Sequence, residues 1–148
     1  NGTALRRLGR YWGNPLALSR DGRLLALSGK KGGIWIVRTN GRGLRRLTSV
    51  RDDGVADWSP DAKALLVVRS SGRSSNVVLQ PLRGKSFVLA RGGESAGWSP
   101  DGRWIAYSNN GLWLVRPDGG QRHRLAAGVS DFSWAPDGKR LAIAGGRR

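Results

Sequence analysis

Few residues in this sequence could do chemistry, and their spacing limits what they can do. A serine hydrolase needs a base, and the only histidine is His123, set between Arg122 and Arg124 with no nucleophile motif near it. Ser59 and Ser99 each precede Pro-Asp. In that turn context a hydroxyl bonds to neighbouring backbone amides rather than attacking a substrate. Aspartates recur at 21, 61, 101 and 137, with spacings of 40, 40 and 36. A metal ion needs several oxygens converging on one point, whereas groups repeated at such intervals are spread apart, so turn chemistry explains them better. Arg51-Asp52-Asp53 with Asp57 is the one acidic cluster, a loop that could hold a cation only weakly. The absence of cysteine excludes disulfides and thiolate chemistry. No catalytic, cofactor or metal site is expected.

The aspartates belong to a repeated phrase, and internal repeats organise the whole chain. Asp57-Trp58-Ser59-Pro60-Asp61, Gly97-Trp98-Ser99-Pro100-Asp101-Gly102 and Ser133-Trp134-Ala135-Pro136-Asp137-Gly138 share one wording, and Leu18-Ser19-Arg20-Asp21-Gly22 is a degenerate copy. Before each phrase lies a short run ending in Trp (55–58, 95–98, 132–134). After it comes an apolar run (24–27, 65–68, 104–107, 141–144), then a third (34–37, 77–79, 112–115) and a basic fourth (44–47, 87–89, 122–125). The second runs are apolar at consecutive positions, so both of their faces must be covered. Four short strands per period of about 40 residues indicate blades of a β-propeller.

The turns have a physical reason. Proline presets φ at the second turn position, Asp suits the third, and Gly accepts the left-handed conformation that closes the hairpin. Asn40-Gly41 and Asp118-Gly119 mark further tight hairpins. Ala62 in place of Gly and Arg20 in place of Pro predict either strain or a different turn in those copies. Trp58, Trp98 and Trp134 share one repeat position, which points to core between blades rather than to base-stacking platforms.

Residues 1–8 match 40–47 at an offset of 39, so the sequence opens on the last strand of a blade. The prediction is an all-β partial propeller of four-stranded antiparallel blades with no significant helix. Its three complete units are about 14–49, 53–91 and 94–127. A last strand at 1–9 precedes them, and the first two strands of another blade follow at 129–146. The remaining blades would come from the parent chain or from self-association.

Composition agrees. Glycine accounts for 23 of 148 residues, about twice its usual ~7% share, as a turn-dense fold requires. No apolar run approaches the ~18 residues that span a bilayer. The net charge is +16, with Arg outnumbering Lys 21 to 5. That bias fits a GC-rich coding sequence, and the basic residues follow no stripe.

Residues 98–125 read Trp-Ser-Pro-Asp-Gly, then Arg-Trp-Ile-Ala-Tyr-Ser, Leu-Trp-Leu-Val and Asp-Gly-Gly-Gln-Arg-His-Arg-Leu. This wording resembles the TolB-type, WD-like propeller repeat, and the resemblance covers nearly the whole chain. It implies blades in a ring that is typically six-bladed, a periplasmic or extracellular setting, and binding of partner proteins rather than catalysis. The same repeat forms the gating propeller of prolyl-oligopeptidase-like serine peptidases, which is one alternative. A module that binds nucleic acid or another polyanion is a second, motivated by the charge. The contact residues expected for a protein partner lie in the interblade loops, which vary while the turns stay constant: Arg10, Tyr11 and Trp12, then Arg51, Asp52 and Asp53, then Arg91.

Overall fold

The computed structural model describes residues 15–29 and 31–145. The chain folds into four antiparallel sheets, each taken from one consecutive stretch of sequence. The first blade holds β1 (Pro15–Leu18), β2 (Leu24–Ser28), β3 (Ile34–Arg38) and β4 (Arg45–Arg46). The second holds β5 (Asp53–Trp58), β6 (Ala64–Ser71), β7 (Ser74–Pro81) and β8 (Phe87–Arg91). The third holds β9 (Ser95–Trp98), β10 (Ile105–Ser108), β11 (Gly111–Val115) and β12 (His123–Ala127). A pair, β13 (Val129–Trp134) and β14 (Leu141–Gly145), begins the fourth. Among the described residues there is no helix, so none is long and apolar enough to cross a membrane. The expected all-β partial propeller is what forms. The strand expected at residues 1–9 lies outside the described residues.

The turn phrase builds the same device in every blade. Ser59 N–H bonds to the Ala64 carbonyl and Ala62 N–H to the Ser59 carbonyl, and the equivalent bonds recur at Ser19, Ser99 and Ala135. The serine hydroxyl donates to the aspartate two residues on and accepts the amide five residues on, in all three copies that have a serine. The final position is left-handed throughout: Gly22 at φ 68°, Gly102 at 72°, Gly138 at 68°, and Ala62 at 56°. Ala62 therefore keeps the turn and accepts the strain, since a Cβ in this region clashes with backbone. Arg20 also keeps the turn, with Gly22 N–H bonded to the Ser19 carbonyl.

Core forms between blades, not within them. Ala26, Ile34 and Ile36 of the first blade meet Trp58, Leu65, Val67 and Val78 of the second. Leu66, Val77, Leu79 and Leu89 of the second meet Trp98, Ile105, Tyr107 and Val115 of the third. Ala106, Leu112 and Leu114 of the third meet Val129 of the fourth. Neighbouring strand residues point to opposite faces, so Leu65 and Leu66 serve different interfaces. This is why the runs are apolar at consecutive positions. Two of the tryptophans before the turns also tie blades together through their indoles: Trp58 Nε1 donates to the Ala17 carbonyl and Trp134 Nε1 to the Gly97 carbonyl, each at 3.2 Å.

Candidate functional site

Antiparallel connection sorts the loops onto two faces. In each blade the turns from the first to the second strand and from the third to the fourth emerge at one end, the turn face. The turns from the second to the third strand and the interblade connections emerge at the other, the loop face. The constant chemistry of the repeat is thus confined to the turn face, and the variable segments share the opposite one.

The loop entering the second blade is anchored from both sides. Gly33 N–H donates to the Arg51 carbonyl at 3.3 Å, and Arg46 Nε donates to the Thr48 carbonyl at 2.9 Å. A Cβ on Gly32 would fall 2.6 Å from the Arg51 Cα, so only glycine allows this approach. Arg51 and Asp52 project exposed from the fixed backbone. Asp53 turns inward: it is buried and holds Arg69 through two bonds, Nε–Oδ1 at 2.7 Å and Nη2–Oδ2 at 3.0 Å. Arg10, Tyr11 and Trp12 lie outside the described residues.

The loop entering the third blade is built alike. Glu94 N–H bonds to the Ser108 carbonyl at 3.1 Å, and Asn109 Nδ2 donates to the Arg91 carbonyl at 3.0 Å. Arg91 is exposed and borders a cavity of about 330 Å³ between the second and third blades. Val88, Leu89 and Ala90 line that cavity with Arg91, together with Tyr107, Asn109, Trp113 and Arg122. Tyr107 and Trp113 stack at 6.3 Å and 14°. Arg122 crosses to the carbonyl of Leu89. Burial pushes the Tyr107 phenol up, and the Arg122 charge opposes that shift.

A smaller cavity of about 270 Å³ opens along the innermost strands, lined by Arg20, Asp57, Ser95, Gly97, Phe132 and Trp134 among others. Asp57 Oδ1 accepts the Trp58 N–H and Oδ2 the Trp98 N–H, both at 2.8 Å. Burial pushes the Asp57 carboxyl up, against the two backbone bonds and the Arg20 charge.

The remaining candidates have local partners. His123 is exposed, edge-on to Trp104 at 5.4 Å, with Nδ1 3.2 Å from the Gln121 carbonyl. Ser59 and Ser99 are buried in their turns. Among the described residues no group of three or more His, Asp or Glu is placed to hold a metal ion. The structure thus brings Arg51, Asp52 and Arg91 to one face and gives Asp53 an internal partner. The cavity-lining Tyr107, Trp113 and Arg122 escaped the sequence reading, although their signal was there. At these repeat positions the second blade carries Val67, Val78 and Ser86, and the first carries Leu27 and Trp35, so Trp113 recurs in the repeat whereas Tyr107 and Arg122 depart from it.

No family model and no curated protein matches the sequence. Solved structures do. A putative TolB from Agrobacterium tumefaciens matches with a TM-score of 0.73 and 25% identity, over 85% of this chain and 51% of that one. TolB from Acinetobacter baumannii matches with a TM-score of 0.70 and 19% identity, over 88% of this chain and 36% of that one. An oligogalacturonate lyase in complex with manganese matches at 0.65 and 17% identity, over 88% and 44%. The chain thus spans about half of the Agrobacterium protein or less of the others. Its fold is the TolB-type β-propeller, and that fold carries enzymes as well as TolB.

Proposed function

We propose that this TolB-type propeller is a non-enzymatic module that binds a partner protein through its loop face, in a periplasmic or extracellular setting. One observation carries the reading: Arg51, Asp52 and Arg91 stand exposed on loops whose backbone is tied down by hydrogen bonds to the neighbouring β2–β3 and β10–β11 turns. Side chains held on a fixed backbone lose little entropy on docking, and interfaces favour arginine. The turn-face serines and aspartates are engaged in closing hairpins, and His123 has no nucleophile as partner, which supports binding over catalysis. Fold alone does not decide between them.

The test is affinity capture from envelope extracts with this chain as bait, comparing wild type with an Arg51→Glu, Arg91→Glu double variant. The expected result is a protein enriched by wild type and lost by at least about ten-fold in the variant, with urea unfolding unchanged. Capture that ignores both substitutions, or hydrolytic activity with no captured protein, overturns the proposal.

A further inference from the structure

The first and second interblade interfaces are built from the same repeat positions, so their differences show what stacking does not need. Trp58 pairs with Leu65 and Trp98 with Ile105, which sets Tyr107 over Val67 and Asn109 over Arg69. Trp113, opposite Tyr107, then corresponds to Val78, opposite Val67. Both outer strands carry a register shift at the same place, so Arg122 corresponds to Ser86. The first interface is closed by Val67 and Val78, and its Arg69 is neutralised by Asp53. The second interface replaces this arrangement with two stacked aromatic rings, two arginines and a cavity of about 330 Å³. That volume falls in the range of small-ligand sites.

The lining has one sign. Arg91 and Arg122 border the cavity and no carboxylate does. Tyr107 is 2% exposed and lines the cavity. Opposite the Tyr107–Trp113 stack the wall is aliphatic, formed by Val88, Leu89 and Ala90. We propose that this cavity is a binding site for a small organic carboxylate with a flat apolar body. The arginines and the Tyr107 hydroxyl would take the carboxylate, and the aromatic and aliphatic walls would enclose the body. This site shares Arg91 with the loop-face reading above but takes a small molecule in the cleft between blades, so its test uses Tyr107 and Arg122 and leaves Arg91 unchanged.

The experiment titrates the full chain with benzoate and with neutral benzamide, following tryptophan fluorescence and calorimetry. Benzoate should bind saturably at one site, and benzamide at least about ten-fold more weakly. Tyr107→Phe keeps the ring stack and removes the hydroxyl, and Arg122→Gln removes one charge. Each should weaken benzoate about three- to ten-fold. Arg103→Gln makes the same charge change on the exposed turn face and should leave affinity unchanged. Equal binding of benzoate and benzamide, no saturation up to about 10 mM, or equal loss in Arg103→Gln and Arg122→Gln would each overturn the site. The last pattern is what attraction to the +16 chain as a whole would produce. The benzoate–benzamide comparison needs no variant, so a substitution that impairs folding leaves the test intact.

Discussion

Asp57 accepts the backbone N–H of Trp98 at 2.8 Å across the boundary between the second and third blades. The other two boundaries are joined through the indole instead, Trp58 to Ala17 and Trp134 to Gly97. Trp98 Nε1 is buried without a partner. The aspartate thus supplies a tie that the repeat makes elsewhere with tryptophan. Asp57→Ala should leave two backbone N–H groups unpaired, those of Trp58 and Trp98. An expected cost of about 2–3 kcal/mol follows, read as a lower urea midpoint with unchanged slope. Asp57→Asn keeps one acceptor oxygen and should cost less.

Ala62 sits at φ 56° in a turn whose other copies use glycine. Ala62→Gly should stabilise the chain by about 1 kcal/mol by relieving the left-handed strain. Gly22→Ala is the mirror experiment, because its φ is 68° and an added Cβ would meet nothing within 4 Å. It should therefore cost about the same amount through backbone strain alone. If thermal unfolding shows both changes neutral, strain is not what distinguishes these turns.

The blades were legible because their turns need particular residues at fixed places. Left-handed φ calls for Gly22, Gly102 and Gly138, and the tight bend calls for the Ser-Pro-Asp run, so the period is written in residue types. Consecutive apolar residues such as Leu65 and Leu66 told of two covered faces. The site was legible only in part. Asp53 reads as an acidic loop residue, yet it is the first residue of β5 and lies opposite Arg69 in the register. That pairing sets its direction. Tyr107 and Trp113 come from two strands and Arg122 from the residue before a third, and they meet only through register and a shared bulge. No local motif announces such a group, and only comparison between blades does.

The serine of the turn offers a paired test. Ser99 is fully buried, donates to Asp101 and accepts the Trp104 N–H at 2.9 Å. Ser99→Ala should cost about 1–2 kcal/mol, because it strands a backbone donor. The fourth copy has Ala135 at this position, so Ala135→Ser should gain up to about 1 kcal/mol. Equal and negligible effects in chemical denaturation would show that the backbone bonds alone hold the turn.

The same serines give the pH dependence its sign. Ser19, Ser59 and Ser99 hold the Asp21, Asp61 and Asp101 carboxyls below the ordinary carboxylate range. A carboxyl whose value is depressed by folding contributes stability above its unfolded value of about 3.9, and that contribution is lost as pH falls through the folded value. Asp57 runs the other way. Its raised carboxyl contributes most below about pH 3.9 and loses that contribution as pH rises through the folded value. Ser59→Ala with Ser99→Ala should flatten the acid limb of stability below about pH 4, and Asp57→Asn should steepen it. Urea midpoints measured at several pH values separate the two. An acid limb unchanged in the double serine variant would place the acid sensitivity elsewhere.

Asp52 and Asp53 are neighbours with opposite tasks, and their substitution separates interface from framework. Asp52 is exposed, whereas the Asp53 side chain is fully buried against Arg69, itself 26% exposed. Breaking a buried pair by removing one partner costs about 3–5 kcal/mol when the other stays buried. The partial exposure of Arg69 lets water take over some of that charge, which lowers the expected cost of Asp53→Ala to about 2 kcal/mol. Asp52→Ala should stay within about 0.5 kcal/mol of wild type. The consequence reaches the loop-face assay: loss of partner binding in Asp52→Ala at unchanged stability would report direct contact, while loss in Asp53→Ala would report a displaced loop. Arg69→Ala discriminates further, because it removes the inner anchor and leaves the exposed surface of Ser49–Asp52 chemically intact. If Arg69→Ala and Asp53→Ala weaken binding equally while Asp52→Ala does not, the loop acts through the position of its backbone and Arg51 rather than through its acidic side chains.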